Sequence, residues 1–180
     1  YNNLGLVFAN HPSENNIKKA EDFYKKSISL DKNASEPLNN LGSLYKTINK
    51  FKDSLECYKK AIEKNPKFSF AYYNLGSVYI TLGQFDEAKK KLTEAIKLNP
   101  NLASAHRSLS RIIKYTDKNA HFNTLKKIYE KTNIKDQENK MSLAFSLGKA
   151  FEDIKKFDKS FNYYNEANSL FRKKINFSLK

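Results

Sequence analysis

The segment YYNLGSVYITLGQFDEAKKKLTEAIKLNP, residues 72–100, decides the fold of this chain of 180 residues. Its apolar residues have helical spacing on both sides of a turn at Gly83, yet Gly76 lies inside the first helical stretch. A glycine inside a helix costs about 1 kcal/mol relative to alanine. Because the chain has only five glycines, Gly76 requires a reason in the packing.

Glycine recurs in one local pattern along the chain. A leucine precedes each of these glycines, and an aromatic residue follows three positions later, as Tyr79 follows Gly76. The four glycines of this pattern are Gly5, Gly42, Gly76 and Gly148. Gly42 and Gly76 are 34 residues apart. A fixed period of this size indicates a solenoid built from one repeated supersecondary unit.

A second small residue follows three of these glycines after twelve positions. These residues are Ser54, Ala88 and Ser160. The pattern resembles the tetratricopeptide repeat, whose 34-residue unit is a helix–turn–helix with a small residue at each of these two positions. The resemblance explains the glycine, because without a Cβ the first helix can lie close against the second helix of its unit.

The resemblance implies an all-α fold, a right-handed α-solenoid of about five helix–turn–helix units. We expect one array over residues 1–180, with units at 1–34, 35–68, 69–102, 103–140 and 141–174 and a junction to a continuation starting in 175–180. The fourth unit is divergent, since Ser110 replaces the glycine and the alanines that recur in the second helix of the repeat are missing. The first unit contains three extra residues, which the turn-rich string NHPSENN accommodates.

The net charge of +14 comes mainly from lysines that occur in every predicted unit. Most of them fall in second helices, which form the outer face of this kind of solenoid, so a solvated outer face is predicted. Nucleic-acid binding is the weaker interpretation, because base-stacking aromatic residues interleaved with arginine are not apparent. No apolar run approaches the length of a bilayer span.

Residues typical of catalytic, cofactor or metal sites are scarce. His11, His106 and His121 are expected to be isolated from one another, and none has a Cys, Asp or Glu partner at metal-ligand spacing. The glycines belong to the repeat pattern or to the turn at Gly83, so no phosphate-binding loop is predicted. The single cysteine, Cys57, is expected to be a packing residue and favours a reducing compartment, the cytoplasm. No cofactor is expected.

The groove lined by the first helices is the predicted binding surface. Asn3, Asn40 and Asn74 each lie two residues before the repeated glycine and therefore occupy equivalent positions. A side-chain amide can donate to and accept from an extended peptide backbone, and the column resembles the groove of peptide-binding repeats. The alternative is that these asparagines are merely solvated.

Neighbouring columns of the predicted helices give the groove its chemistry. Tyr73 and Ser77 belong to a partly aromatic strip in the third unit. In the fourth unit, Arg107, Arg111 and Lys114 are spaced i, i+4 and i+7, which predicts one helical face. Arginine guanidinium groups suit carboxylates and phosphates. The alternative is that these cations pair with carboxylates of the chain itself, namely Asp117, Glu138 and Glu152.

The C-terminal half also resembles the end of the repeat region in bacterial proteins that fuse tetratricopeptide repeats to a sulfotransferase domain. His106-Arg107, the string LGKAFED at residues 147–153 and the basic segment at residues 172–174 carry this likeness. The resemblance implies enzyme activity only for a larger parent protein. The Arg-Ser-Gly phosphosulfate-binding signature of the transferase does not occur in this sequence.

The sequence therefore predicts a scaffold that binds a protein or an extended, acidic peptide through the groove, as part of a larger protein. Positioning substrate for an attached sulfotransferase is the first alternative, and weak nucleic-acid association through the lysines is the second. No catalytic residue and no membrane span are expected, and the solenoid ends are expected to self-associate end to end. The predicted groove residues are Asn3, Asn40, Asn74, Tyr73, Ser77, Arg107, Arg111 and Lys114.

Overall fold

The computed structural model describes residues 1–11, 13–31, 33–133 and 135–178, with the last three residues described by their backbone only. Ten helices and no strands are present in these ranges, so the predicted all-α fold is confirmed. The number of repeat units stays a prediction. The helices are α1 (Asn2–Ala9), α2 (Glu14–Leu30), α3 (Ser35–Thr47), α4 (Phe51–Lys64), α5 (Ser69–Thr81), α6 (Phe85–Leu98), α7 (Ala103–Ser110), α8 (Ala120–Lys131), α9 (Gln137–Asp153) and α10 (Phe157–Ser178).

Three of the helices begin at a polar side chain that accepts backbone N–H groups of the first turn. Ser13 accepts from Asn16 before α2, and Asp136 accepts from Asn139 before α9. Asn119 accepts from two N–H groups at the start of α8. Such caps satisfy donors that have no partner inside the helix, so they fix where these helices start.

The turn between paired helices has the same backbone conformation at three places. Gly83 has a φ of 72°, and Asn49 and Lys155 have φ values of 60° and 59° at the corresponding positions. The residue after each of them donates its N–H to the carbonyl of the aromatic residue in the repeated pattern, a bond that commonly ends a helix. These bonds join Lys50 to Tyr45 (2.8 Å), Gln84 to Tyr79 (2.9 Å) and Lys156 to Phe151 (2.9 Å).

The repeated glycine is required by close helix packing, as the sequence predicted. A Cβ added at Gly42 would lie 2.8 Å from Tyr58 Cε1, and one added at Gly76 would lie 2.9 Å from Leu92 Cγ. Added Cβ atoms at the other two glycines of the pattern meet tyrosine rings at 2.5 Å and 2.7 Å. Since real Cβ atoms do not approach so closely, a larger residue would push the paired helices apart.

The contacts divide the chain into two compact units, residues 1–98 and 99–180. In the first unit each helix packs on the next, and α3 also packs directly on α1 and on α5. Cys57 is buried in this core, and burial raises the pKa of its thiol to about 11. It is a packing residue, as predicted. One core cluster consists of Ala20, Tyr24, Leu41, Leu44, Tyr45 and Cys57.

In the second unit, α7 and α8 both pack on α9, and α10 packs on the same helix. The first helix of the divergent unit ends at Ser110, and the chain between α7 and α8 returns Tyr115 into the core, where it is 2% exposed. The Tyr115 N–H donates to Asp153 Oδ2 at 3.0 Å. The core cluster consists of Ala103, Tyr115, Phe122, Leu125, Leu143, Leu147, Ala150 and Phe151.

The last helix continues beyond the predicted end of the fifth unit. Residues 175–178, where a junction was expected to begin, belong to α10, and residues 179 and 180 lie outside the described residues. One face of this helix carries exposed apolar side chains. They are Phe157, Phe161, Phe171 and Ile175.

Candidate functional site

Four asparagine side chains form a hydrogen-bonded chain across α1, α3 and α5. Asn40 Nδ2 donates to Asn2 Oδ1 at 2.9 Å, and Asn39 Nδ2 donates to Asn40 Oδ1 at 3.5 Å. Asn74 Nδ2 then donates to Asn39 Oδ1 at 2.8 Å. We call these four side chains the amide chain. It joins three helices that are far apart in sequence and neighbours in the fold.

The amide chain contains two of the three predicted asparagines. Asn40 and Asn74 belong to it, whereas the Asn3 side chain is exposed and makes no hydrogen bond to another described residue. Asn2 and Asn39, the residues that complete the chain, were missed. Asn2 directly precedes Asn3, and Asn39 directly precedes Asn40. These Asn-Asn pairs are the sequence feature that could have indicated the two missed residues.

The amides keep hydrogen-bonding capacity after these internal bonds. A side-chain amide offers two N–H donors and two acceptor lone pairs, and Asn74 uses only one donor toward the described residues. Asn40 and Asn74 are half-buried, so their remaining groups reach solvent. The internal bonds fix the side chains in position, which lowers the entropy that a ligand has to remove.

Two further polar residues of α3 lie one and two turns after Asn39. Ser43 Oγ is 3.0 Å from the hydroxyl of Tyr58, and Lys46 Nζ donates to Ser77 Oγ of α5 at 2.6 Å. Burial lowers the pKa of Lys46. Tyr73 precedes Ser77 by one turn and is half-buried. The structure therefore brings Ser77, one turn after Tyr73, together with a lysine that the sequence reasoning missed.

The amide chain, Ser43, Lys46, Tyr73 and Ser77 lie on one surface, which we call the polar face. A cavity of about 200 Å³ opens beside it in the first unit and is lined by Leu6, Ala9, Asn10, Ile17, Tyr24, Asn40, Ser43, Leu44 and Thr47. The half-buried side chains and the cavity leave room for a ligand next to the amide chain. The polar face consists of Asn2, Asn39, Asn40, Ser43, Lys46, Tyr73, Asn74 and Ser77.

The second unit contains a separate basic cavity of about 250 Å³. The Arg107 guanidinium lies 4.3 Å from the centre of the Phe145 ring, a cation–π contact that orients it. Lys149 forms an ion pair with Asp153, and Arg111 is exposed. We call this cavity the arginine pocket. Its lining residues are Arg107, Ser110, Arg111, Phe145, Ser146, Lys149 and Tyr164.

The predicted helical stripe of three cations is wrong at its third member. Because α7 ends at Ser110 and Arg111 already caps it, Lys114 does not continue the helical face. Lys114 is exposed in the segment that leads to Tyr115 and does not line the arginine pocket. The carboxylates named as alternative partners have other contacts: Asp117 with Lys156 (3.4 Å), Glu138 with Lys174 (3.1 Å) and Glu152 with Tyr164 (2.8 Å).

Two of the histidines are not isolated, which corrects the sequence-based expectation. His106 Nδ1 lies 2.8 Å from His121 Nε2, and the rings stack with centroids 5.0 Å apart. His106 Nε2 contacts the Pro100 carbonyl, and His121 Nδ1 contacts the Tyr115 hydroxyl, both at 2.8 Å. Burial lowers the pKa of both histidines, that of His121 to about 3. The pair is therefore neutral and ties α7 to α8.

All four ring nitrogens of this pair already have a partner in the protein. In the described part of the chain, no group of three or more histidine, cysteine and carboxylate side chains is arranged to hold a metal ion. None of the described helices combines the length and the apolar character that a bilayer span requires.

Comparison with known families identifies the repeat. Family models of the tetratricopeptide repeat match residues 35–68 and residues 57–90. The first match coincides with a predicted unit, and the chain therefore contains tetratricopeptide repeats in the region that carries α3, α4 and α5. No curated protein matches the chain.

Solved structures extend the likeness over most of the chain. A crystal structure of MamA has 29% identity and a TM-score of 0.63, and the match covers 91% of this chain and 93% of that one. A second MamA structure has 27% identity and the same TM-score, covering 99% and 93%. YrrB, described as a TPR protein with an unusual peptide-binding site, has 19% identity and a TM-score of 0.60, covering 87% and 78%. The resemblance to sulfotransferase fusion proteins is not shown by these comparisons.

Proposed function

We propose that this chain is a protein-binding scaffold that holds an extended peptide segment on the polar face. The observation that carries the proposal is the amide chain, which lines up hydrogen-bonding groups from three neighbouring helices on a half-exposed surface. The tetratricopeptide repeats around it support the proposal. A protein of similar fold, YrrB, is described as having a peptide-binding site.

The polar face suits an extended backbone better than a compact small molecule. Asn40 and Asn74 can each offer both a donor and an acceptor to peptide groups, and Tyr73 adds a large amphipathic contact surface with little loss of side-chain entropy. The amides are already oriented by their internal hydrogen bonds. In this proposal the asparagines set the register of the peptide, and side-chain contacts provide most of the affinity.

The arginine pocket supplies a second surface, for acidic groups of the partner. Arg107 and Arg111 line it together with Lys149, whose ammonium group is paired with Asp153. Hydrogen bonds to charged groups contribute about 1.5–3 kcal/mol each, compared with about 0.5–1.5 kcal/mol for neutral ones. We therefore include acidic partners in the proposal, with no catalytic role for either surface. The reduced, buried thiol of Cys57 fits a cytoplasmic scaffold.

The proposal can be tested with a random octapeptide library selected against the whole chain. The affinity of enriched peptides is then measured for the wild type, for a variant with Tyr73→Ala and Asn74→Ala, and for a control with Lys59→Ala and Lys89→Ala. The control lysines are exposed on α4 and α6. We expect at least tenfold weaker binding for the first variant and unchanged binding for the control. A library without enriched peptides, or equal losses in both variants, would contradict the proposal.

A further inference from the structure

Lys46 is a half-buried cation whose described contact is to a neutral group. Its Nζ donates to Ser77 Oγ at 2.6 Å, and no carboxylate among the described residues forms an ion pair with it. An ammonium group has three donors, so two remain after this bond. Removing an ammonium group from water without a counter-charge is unfavourable, and burial accordingly lowers the pKa of Lys46.

Ser77 adds a second donor at the same place. Its Oγ accepts the bond from Lys46, and its own hydroxyl hydrogen has no acceptor among the described residues. Lys46 and Ser77 lie on α3 and α5, the two helices that Asn39 and Asn74 also connect. An N–H and an O–H donor from two neighbouring helices therefore stand beside the amide chain.

We propose that Lys46 and Ser77 together bind one carboxylate of the peptide, so that this scaffold selects ligands with an acidic group at a defined position. The inference rests on the proposed function and specifies its ligand. A carboxylate has two oxygens, one for each donor, and its single negative charge matches the single ammonium. A phosphate carries a charge of about −1.5 to −2, and the single ammonium of Lys46 would neutralise only part of it.

Four octapeptide pools of equal complexity test the inference on the whole chain. Acidic side chains are either allowed or excluded, and the C-terminus is either a free carboxylate or an amide. Each pool is captured by the wild type, by Lys46→Met and by the control Lys59→Met, which removes the same charge from the exposed side of α4. Methionine keeps most of the apolar length of lysine, and thermal unfolding verifies that each variant is folded.

The wild type and the control are expected to retain at least tenfold more peptide when a carboxylate is allowed. Lys46→Met is expected to lose at least tenfold of this excess, whereas any excess that the arginine pocket contributes is the same in all three proteins. A preference for acidic side chains or for the free C-terminus identifies the source of the carboxylate. Equal capture of all four pools by the wild type, or an equal loss in the control, would overturn the inference while leaving peptide binding intact. No capture of any pool by the wild type would overturn the proposed function as well.

Discussion

Ser54 Oγ donates a 2.7 Å hydrogen bond to the carbonyl oxygen of Gly42 on the facing helix of the same pair. Ser160 and Gly148 make the same contact at 2.9 Å in the second unit. A small residue on each helix allows this approach, and the serine hydroxyl then finds its acceptor inside the contact. The two compact units thus use one way of packing a helix pair.

The first prediction concerns this helix contact. We expect Gly76→Leu to lower the free energy of unfolding by about 1–3 kcal/mol or more, because the added side chain overlaps Leu92 and must separate α5 from α6. Urea unfolding followed by circular dichroism measures the effect. Thr81→Leu on the exposed side of α5 is the control and should stay within about 0.5 kcal/mol of the wild type. An unfolding midpoint for Gly76→Leu equal to that of the wild type would contradict the packing role.

The second prediction concerns the left-handed turn before α10. Lys155 has a φ of 59° and is exposed, and this conformation costs about 1–2 kcal/mol for a residue with a Cβ. We expect Lys155→Gly to raise the free energy of unfolding by about 1 kcal/mol, after the greater flexibility of unfolded glycine is subtracted. Lys156→Gly, next to it but outside the left-handed region, should give no gain. Equal effects of the two substitutions in urea unfolding would refute the explanation.

The turn at Gly83 and the close helix contact at Gly76 could be predicted from sequence because they depend on residues of one repeated unit. Gly76 and Ala88 belong to the same 34-residue period, so their spacing already predicted that the two helices of this unit lie close together. The amide chain depends instead on which residues of different units face each other. Asn74 donates a hydrogen bond to Asn39, 35 positions away in sequence. The pattern of asparagines two residues before the glycine pointed to Asn40, next to Asn39, and did not indicate this bond.

The fourth unit was harder to predict for a different reason. Its sequence up to Lys114 continues a helical spacing, but the chain leaves the helix after Ser110 so that Tyr115 can enter the core. Tertiary burial therefore overrides the local helical pattern. The same change of direction brings His121 against His106, although fifteen residues separate them and no metal-ligand spacing pointed to a contact.

The third prediction follows from the buried histidine pair. Both histidines have folded-state pKa values below the ordinary value of 6.5. Their contribution to stability is therefore complete above about pH 6.5 and is lost as the pH falls toward the lowered values. Each pKa unit corresponds to about 1.4 kcal/mol. We expect the thermal unfolding temperature to fall as the pH is lowered from 6.5 to 4.5.

A variant isolates the histidine contribution from that of the carboxylates. His121→Gln is expected to be less stable than the wild type at pH 7 but to lose less stability between pH 6.5 and 4.5. His11→Gln, at an exposed position, should reproduce the wild-type pH dependence. If all three proteins lose stability in parallel, the histidine pair does not control the acid response.

The fourth prediction concerns the arginine pocket. Replacing Arg107 and Arg111 with alanine should weaken binding of a pool of acidic peptides at least tenfold, because hydrogen bonds to charged groups are the stronger ones. Replacing Lys89 and Lys90 on α6 should have almost no effect, although it removes the same charge. Fluorescence anisotropy at 150 mM salt measures both. Equal losses would indicate attraction by overall charge only, and circular dichroism verifies that both variants are folded.

The location of a bound peptide on this chain is the most direct test of the proposed scaffold. Backbone and side-chain amide NMR signals of the isotope-labelled protein are recorded while a library-selected octapeptide is added. We expect the largest shifts at Asn40, Asn74 and Ser77 on the polar face, with saturation at one peptide per chain. Signals of Lys59 on α4 and Lys89 on α6 should stay in place. Shifts confined to α4 and α6, with the polar face unchanged at saturation, would contradict binding on this face.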